Sequence, residues 1–248
     1  MPQFFVKPEN ITNNTVSVTN IADINHICRI LRLGKGDKLI LSDNNNIVYE
    51  TEIFKITDKS VETRILNSFE SNRILKTDIT LAQSILKSPK QDIVIQKATE
   101  LGVNTIIPLI TRNTVVKFTN EKDKNQKIQR WQKISYEASK QCQRPGIPQI
   151  NSILSLDDLV KLDFDIKFVC AERDAQLSIK EFLSKSKQNT LYAKSILIII
   201  GPEGGWDDKE FTLFRENNIA QITLGNLILR AETASISAIS DVVYEYEL

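Results

Sequence analysis

Two rhythms divide the chain. Up to about residue 67 the apolar positions come in short runs rich in β-branched and aromatic residues, KLILSD, NIVYETEIFKIT and SVETRILN, separated by the polar turns GKGD and DNNN. Such runs predict short strands. One segment departs from this: in ADINHICRILRL the apolar residues Ile24, Ile27, Ile30 and Leu31 fall at helical spacing and predict a short helix with one buried face. A small β-barrel of roughly 65 residues fits, close to the lower size limit for independent stability, so it is expected to lean on a neighbour or to carry a binding role.

SFESNR, residues 68–73, reads as a linker, and beyond it strands and helices alternate. TDITLAQSIL is strand-like, and QDIVIQKATELG predicts a helix stopped by Gly102. NTIIPLI predicts a strand. KIQRWQKISYEASKQCQR, with Ile128, Trp131, Ile134 and Ala138 at helical spacing, predicts a helix with one buried face. The proline pair of RPGIPQI, Pro145 and Pro148, marks a rigid connection into the next strand. IKFVCAE predicts a strand, LSIKEFLSKSKQN is expected to be less ordered, and SILIIIG is the most apolar strand, a candidate for the centre of a sheet covered on both faces. DDKEFTLFRENN (helix), AQITLG (strand) and ETASISAISDVVYEYEL (helix) complete an α/β pattern of mostly parallel strands.

Composition adds little until charge is read locally. Lys and Arg number 32 against 31 for Asp and Glu in 248 residues. Between Arg112 and Arg144, however, nine basic residues face three acidic ones, a local excess of +6 that suits either a nucleic-acid footprint or a solvated loop and helix face. Three cysteines, at 28, 142 and 170, offer neither a paired framework nor metal-ligand spacing, and His26 is the one histidine, so no metal is expected. The opening MPQFFVKPEN lacks a leader pattern and no run reaches membrane-spanning length, so a soluble, cytoplasmic protein with reduced thiols and no membrane partner is expected.

The chemistry concentrates late in the chain. ILIIIGPEGGWDDKEF breaks from strand to loop at Gly201, yet GPEGGW matches neither GxxxxGK[ST] nor the spacing of GxGxxG. Pro202 fixes φ, while Gly204 and Gly205 tolerate positive φ and leave backbone bare. Exposed amides and carbonyls beside Glu203 suit an adenine edge or a ribose better than a phosphate; a tight strand-to-helix turn, capped by Asp207 or Asp208, is the plainer alternative. In ITLGNLILRAETASISA, Gly225 again ends a strand, LIL forms an apolar clip before Arg230, and the last helix opens with Glu232, Thr233 and small residues that permit close approach. The two bends are expected to form one concave site at the carboxyl ends of parallel strands.

IGPEGGWDDKEF followed by LGNLILRAETA resembles the paired signature of the RsmE family, the 16S ribosomal RNA (uracil-1498)-N3 methyltransferases of the SPOUT class. HICRILRLGKGDKLILSD is similar to that family's PUA-like, OB-like barrel, and DIVIQKATELGVNTIIPLITRNT and RWQKISYEASKQCQRPGIPQI are similar to its middle signatures, so the resemblance covers the whole chain in order. It implies a PUA-like RNA-binding barrel over residues 1–70 and, over residues 74–248, an α/β methyltransferase domain tied in a deep trefoil knot, an exception to the rule that chains do not thread loops. It also implies S-adenosylmethionine bound at three strand ends. The corresponding positions are Val169 on the first; Leu197, Ile199, Gly201, Pro202, Glu203, Gly204 and Gly205 on the second; and Leu224, Gly225, Leu227, Ile228 and Leu229 on the third. The implied partners are a second copy of the chain and 16S RNA in an assembled or nearly assembled 30S subunit. A knotted methyltransferase for another RNA base or a ribose 2′-hydroxyl, and a non-catalytic ribosome assembly factor, are the alternatives.

Methylation of uracil N3 requires the ring proton to leave, which makes Arg230, closing the apolar clip, the candidate cation for the ring anion or the nucleotide's phosphate. Glu203 and Glu232 are the candidate proton acceptors or orienters, and both stay open. Arg29, Arg32 and Lys35 in the barrel, with Lys38 behind them, and Arg112, Arg130 and Arg144 farther on are the candidate RNA contacts. Lys97 and Glu100 are expected to pair on one helix, Trp131 to pack, and Trp206 to pack against either cofactor or knot. His26 fits an RNA contact or a packed histidine equally, Gln141 with Arg144 is placed to reach the pocket, and Cys142 has no partner base that would make it a nucleophile.

Overall fold

The computed structural model describes residues 3–189 and 194–248; Met1 and Pro2, which open the stretch read for a leader, lie outside the described residues. The chain forms two units, one made of the residues up to Ile74 together with Glu137–Ile147, the other of Leu75–Tyr136 and Pro148–Leu248.

The first unit contains β1 (Gln3–Phe5), β2 (Thr15–Val18), α1 (Ile21–Asn25), β3 (Lys38–Ser42), β4 (Ile47–Ile56) and β5 (Val61–Glu70). The strands order as β1-β3-β4-β5-β2, with β1 parallel to β3 and the other pairs antiparallel. At DNNN the Asp43 carboxylate accepts the amides of Asn45 (2.7 Å) and Ile47 (3.0 Å), while Asn44 and Asn46 adopt positive φ. That is why an Asp/Asn run reverses the chain here. Alternate strand residues, Val16, Val18, Leu39, Leu41, Ile53 and Val61, share one core with Phe4. β5 continues through Ser68 and Phe69 because both pair with β4, so the connection expected at residues 68–73 begins only after Glu70.

The helical segment also departs from the simple pattern. After α1, His26–Ile30 forms a π-helical turn in which the Leu31 amide reaches the His26 carbonyl at 2.9 Å. The wider turn advances each residue by less than an α-helix does. Ile24 and Ile27 remain buried, but Ile30 is 72% exposed. Within this unit the segment Glu137–Ile147 is held by Ser42 donating to the Pro145 carbonyl (2.7 Å), Gln3 donating to the Arg144 carbonyl (2.6 Å) and the Ile147 amide donating to Asn44 (2.7 Å). Lys140 is buried there, 2.9 Å from Asp23 and 3.0 Å from Glu137, so one charge of the basic segment is engaged internally.

The second unit runs β6 (Asp78–Ser84), α2 (Lys90–Glu100), β7 (Thr105–Ile110), α3 (Glu121–Cys142, its end in the first unit), β8 (Gln149–Ile150), β9 (Leu154–Ser155) and α4 (Leu156–Leu159). It continues with β10 (Ile166–Cys170), β11 (Leu177–Ser178), α5 (Ile179–Asn189), β12 (Ser195–Ile200), α6 (Asp208–Glu216), β13 (Ala220–Thr223) and α7 (Ala231–Glu247). Its strands are parallel, ordered β11-β13-β10-β12-β6-β7-β8, with β9 also on β7. β12 is the two-faced strand its composition predicts: Ile196, Ile198 and Ile200 join Val94, Trp131 and Ile239 on one side, and Leu197 and Ile199 join Phe211 and Phe214 on the other.

LSIKEFLSKSKQN, expected to be less ordered, is instead largely α5. Ser178 and Glu181 form a reciprocal cap, the Glu181 amide on the Ser178 hydroxyl (3.3 Å) and the Ser178 amide on the Glu181 carboxylate (3.0 Å), while Ile179 and Leu183 are buried. α3 starts at Glu121, six residues before the expected 127, where Asn120 accepts the Asp123 amide at 2.9 Å. Gly102 follows α2 with φ +95°, as expected of a helix stop. β13 lies outside β10, yet α7 packs on α2, β12 and β6, so residues 224–230 return across the carboxyl ends of the central strands. Among the described residues no helix is long and apolar enough to cross a membrane.

Candidate active site

The carboxyl ends of β10, β12 and β13 open into a cleft of about 720 Å³. One wall is the loop after β12. At Gly201 a Cβ would lie 2.9 Å from the Trp206 ring, so the glycine is required by close approach. Trp206 is buried, donates its indole N–H to the Cys170 carbonyl at 2.9 Å and meets Phe214 edge-on with ring centres 4.9 Å apart. Gly205 has φ +70°, and a Cβ there would stand 2.6 Å from the Glu172 carboxylate, which accepts the Trp206 amide at 3.0 Å. Asn113 donates to the carbonyls of Gly204 (3.2 Å) and Gly205 (3.0 Å). Asp207, not Asp208, caps α6, in a reciprocal pair with Glu210. The glycine loop is therefore a tight turn and a cleft wall at once.

The second wall is the segment between β13 and α7. The Thr223 hydroxyl donates to the Gly225 carbonyl at 2.8 Å, and Leu227 and Ile228 stand 80% and 83% exposed at the cleft. Arg230 precedes α7, its carbonyl accepting the Ala234 amide at 2.8 Å. The small face of α7 is used as expected: buried Ser235 donates to Gln83 of β6 and to the Ala231 carbonyl (2.9 Å), and Ala234 lines the cleft.

Glu203 accepts the Lys87 amide at 3.4 Å, and its carboxylate lies 3.5 Å from the Lys90 ammonium, which is 4.0 Å from Glu232. Among the described residues Arg230 forms no ion pair and is exposed, so the cation next to both carboxylates is Lys90 rather than Arg230. Sequence reasoning missed Lys90. The link becomes visible only in the fold: β6 neighbours β12 in a parallel sheet, and loops after neighbouring parallel strands meet at one edge.

The cofactor positions expected from the resemblance divide. Gly201, Pro202, Glu203, Gly204 and Gly205 line the cleft, as do Leu224, Gly225, Leu227, Ile228 and Leu229. Val169, Leu197 and Ile199 do not: they lie within strands and fill the core against α6. Strand residues reach the cleft only at the ends, at Cys170, Ile200 and Thr223, with Ala171 and Glu172 following β10. Burial pushes the Cys170 thiol far up from its usual range, so it stays protonated.

The RNA candidates are placed unevenly. Arg29, Arg32 and Lys35 are exposed on the first unit, with Arg32 at φ +55°. Arg144, in that unit, is half-buried, and burial lowers its guanidinium pKa. Arg112 lies 3.5 Å from Asp207, and Arg130 pairs with Asp92 at the start of α2. His26 packs edge-on against Phe4, Gln141 is exposed, Lys97 and Glu100 pair at 2.8 Å, and Trp131 is buried in the core.

Residues 73–243 match the family model of an RNA methyltransferase domain, and residues 18–66 that of an RNA methyltransferase PUA domain. The chain is 33% identical over 240 residues to the ribosomal RNA small subunit methyltransferase E of Mesomycoplasma hyopneumoniae, covering 95% of this chain and 96% of the relative. It is 30% identical over 236 residues to that of Bacillus subtilis, covering 94% and 91%. A Neisseria gonorrhoeae ribosomal RNA small subunit methyltransferase E bound to S-adenosyl methionine superposes with a TM-score of 0.87 at 26% identity, over 99% of this chain and 98% of that one. A Legionella pneumophila methyltransferase in complex with the same cofactor gives 0.86 at 28%, over 98% and 96%. Two matched domains in the expected order, whole-chain likeness and a cleft at the ends of three parallel strands agree: the chain belongs to the ribosomal RNA small subunit methyltransferase E family.

Proposed function

We propose that this protein transfers a methyl group from S-adenosylmethionine to N3 of one uridine, the counterpart of uridine 1498, in the 16S RNA of the small ribosomal subunit. The cleft carries the reading. Its size falls in the range of small-ligand sites, about 300–1,000 Å³. Bare backbone at Gly201 and Gly204 and the apolar side chains of Leu224 and Leu229 suit an adenosine and a methionine moiety, and the Glu203 carboxylate suits a cationic ligand while disfavouring a phosphate. When bound, S-adenosylmethionine supplies an electrophilic methyl group on a sulfonium.

The chain's own residues must then manage one proton. The N3–H of uracil has a pKa of about 9 to 9.5, so ionising it near neutrality costs roughly 3 kcal/mol. One well-placed donor or cation stabilises such an anion by ~3 kcal/mol. Arg230, exposed and without an ion pair among the described residues, is the side chain we assign to a uracil carbonyl oxygen or to the nucleotide's phosphate. A carboxylate is a weak match to that proton, so Glu203 or Glu232 accepts or orients it at Oε only while a cation such as Arg230 stabilises the uracil anion that forms.

The substrate we favour is an assembled or nearly assembled 30S subunit in the cytoplasm, gripped by Arg29, Arg32 and Lys35. We also infer a homodimer; Tyr244 of α7 and Leu227 leave exposed surface that suits a second copy. Incubating the protein with S-adenosylmethionine and small subunits lacking the modification tests the reading. One 3-methyluridine in 16S RNA by mass spectrometry supports it; a methyl group on another base or on a ribose overturns the N3 assignment. Arg230→Ala is expected to reduce methylation far more than cofactor binding, and equal losses of both would remove Arg230 from the chemistry.

A further inference from the structure

Two carboxylates stand beside a cleft that must also present a free cation to RNA. Glu232 lies two residues from Arg230, and Glu203 lies across from it on the first wall. Left alone, the two would repel each other and attract a neighbouring cation such as the Arg230 guanidinium, which shares the cleft with Glu203. The structure contains a different solution. Lys90, the first residue of α2, places its ammonium 3.5 Å from Glu203 and 4.0 Å from Glu232, and it lines the cleft with a side chain 34% exposed.

The position of Lys90 is itself supported. Asp92, in the first turn of α2, accepts from the Ser88 hydroxyl (3.2 Å) and pairs with Arg130 of α3, which fixes that turn. The Lys87 amide donates to the same Glu203 oxygen that faces Lys90, at 3.4 Å. One carboxylate oxygen of Glu232 is buried without a hydrogen bond, so the lysine is the nearest charge that answers it.

We propose that Lys90 is a positioning residue of the methyl-transfer site: it bridges the Glu203 and Glu232 carboxylates and thereby keeps Arg230 available to the RNA. The inference rests on the methyltransferase reading above. It separates two roles that a single arginine cannot fill together, neutralising the resident carboxylates and meeting the incoming nucleotide. Lys90 acts through its neighbours, and no contact between Lys90 and the reacting atoms is part of the proposal.

The test is a set of variants in the full-length protein, read by single-turnover methylation of small subunits at saturating S-adenosylmethionine and by calorimetry of cofactor binding. Lys90→Met is expected to slow transfer by on the order of 10–100-fold while cofactor affinity changes by less than about 3-fold. Lys90→Arg restores most of the rate. Because Glu203 and Glu232 are themselves candidate proton acceptors, the Glu203→Gln, Glu232→Gln background is read by small-subunit binding instead of turnover: there Lys90→Met causes no further loss of affinity, because the carboxylates that would capture Arg230 are gone. Transfer by Lys90→Met at the wild-type rate, or the same fold-loss of small-subunit affinity with and without the glutamates, overturns the positioning role. Wild-type protein that binds the cofactor and transfers no methyl group to small subunits overturns instead the activity on which the proposal rests.

Discussion

The two walls of the cleft are built on opposite terms. The loop after β12 is held from every side: Trp206 lies over Gly201, Glu172 takes the Trp206 amide, and Asn113 ties the carbonyls of Gly204 and Gly205. The segment after β13 has one local turn at Thr223 and then projects Leu227 and Ile228 into solvent, with Arg230 unpaired among the described residues. A fixed wall sets the shape a ligand must match, and an open wall leaves apolar side chains free to meet it. Shape and apolar contact are thus assigned to different stretches of backbone, and substitutions should separate them.

The largest effect is expected at Trp206→Ala. It removes a buried ring and leaves the Cys170 carbonyl without the indole N–H. Loss of a buried aromatic costs about 3–5 kcal/mol. Denaturant unfolding should show that loss, and calorimetry should show cofactor binding falling with it. Stability unchanged within error would mean that the first wall is not held by this ring. Gly205→Val comes next. A β-branched residue at φ +70°, with its Cβ 2.6 Å from the Glu172 oxygen, must move the loop. Roughly 2 kcal/mol of stability should go, together with most of the cofactor affinity. Unaltered binding by this variant would show that the loop tolerates another path.

How much of this contrast was legible in the sequence follows from what each feature depends on. The core strand SILIIIG and the glycine loop were visible because apolar runs and Gly-Pro clusters report local backbone demands. α5 was missed although its cap, Ser178 with Glu181, was written in the chain; few apolar residues on one face obscured it. Ile30 pointed the wrong way because a π-helical turn has no compositional mark. Val169, Leu197 and Ile199 fill the core instead of lining the cleft, because the strand ends were read as residue ranges without the alternation of side chains between the two faces of the sheet. Lys90 stayed hidden for a different reason: its relation to Glu203 exists only through the neighbouring order of β6 and β12.

Asn113→Ala is a smaller change on the first wall. The side chain is exposed and gives two hydrogen bonds, 3.2 and 3.0 Å, to loop carbonyls that water can reach in its place. About 0.5–1 kcal/mol of stability is expected to be lost. Cofactor affinity should fall a few-fold as the loop gains freedom, and the drop should appear in the dissociation rate, because a looser wall releases ligand sooner. A change confined to the association rate would assign Asn113 to ligand entry instead.

The smallest stability effect belongs to the open wall. Leu227→Ser with Ile228→Ser removes two side chains that are 80% and 83% exposed, so folding should change by no more than ~0.5 kcal/mol. If these residues close over a ligand, the same double variant must lose affinity by several-fold, since apolar surface buried on binding contributes ~25 cal/mol per Å². The order of the two readouts then reverses that of Trp206→Ala, where stability falls most. Thermal unfolding with and without S-adenosylmethionine reads both quantities in one experiment: the unliganded midpoints should coincide with wild type, and the ligand-induced rise should shrink. An undiminished rise would remove the clip from the cofactor site and leave its apolar face to RNA or to a second copy of the chain, which methylation rates and light scattering on the same variant would tell apart.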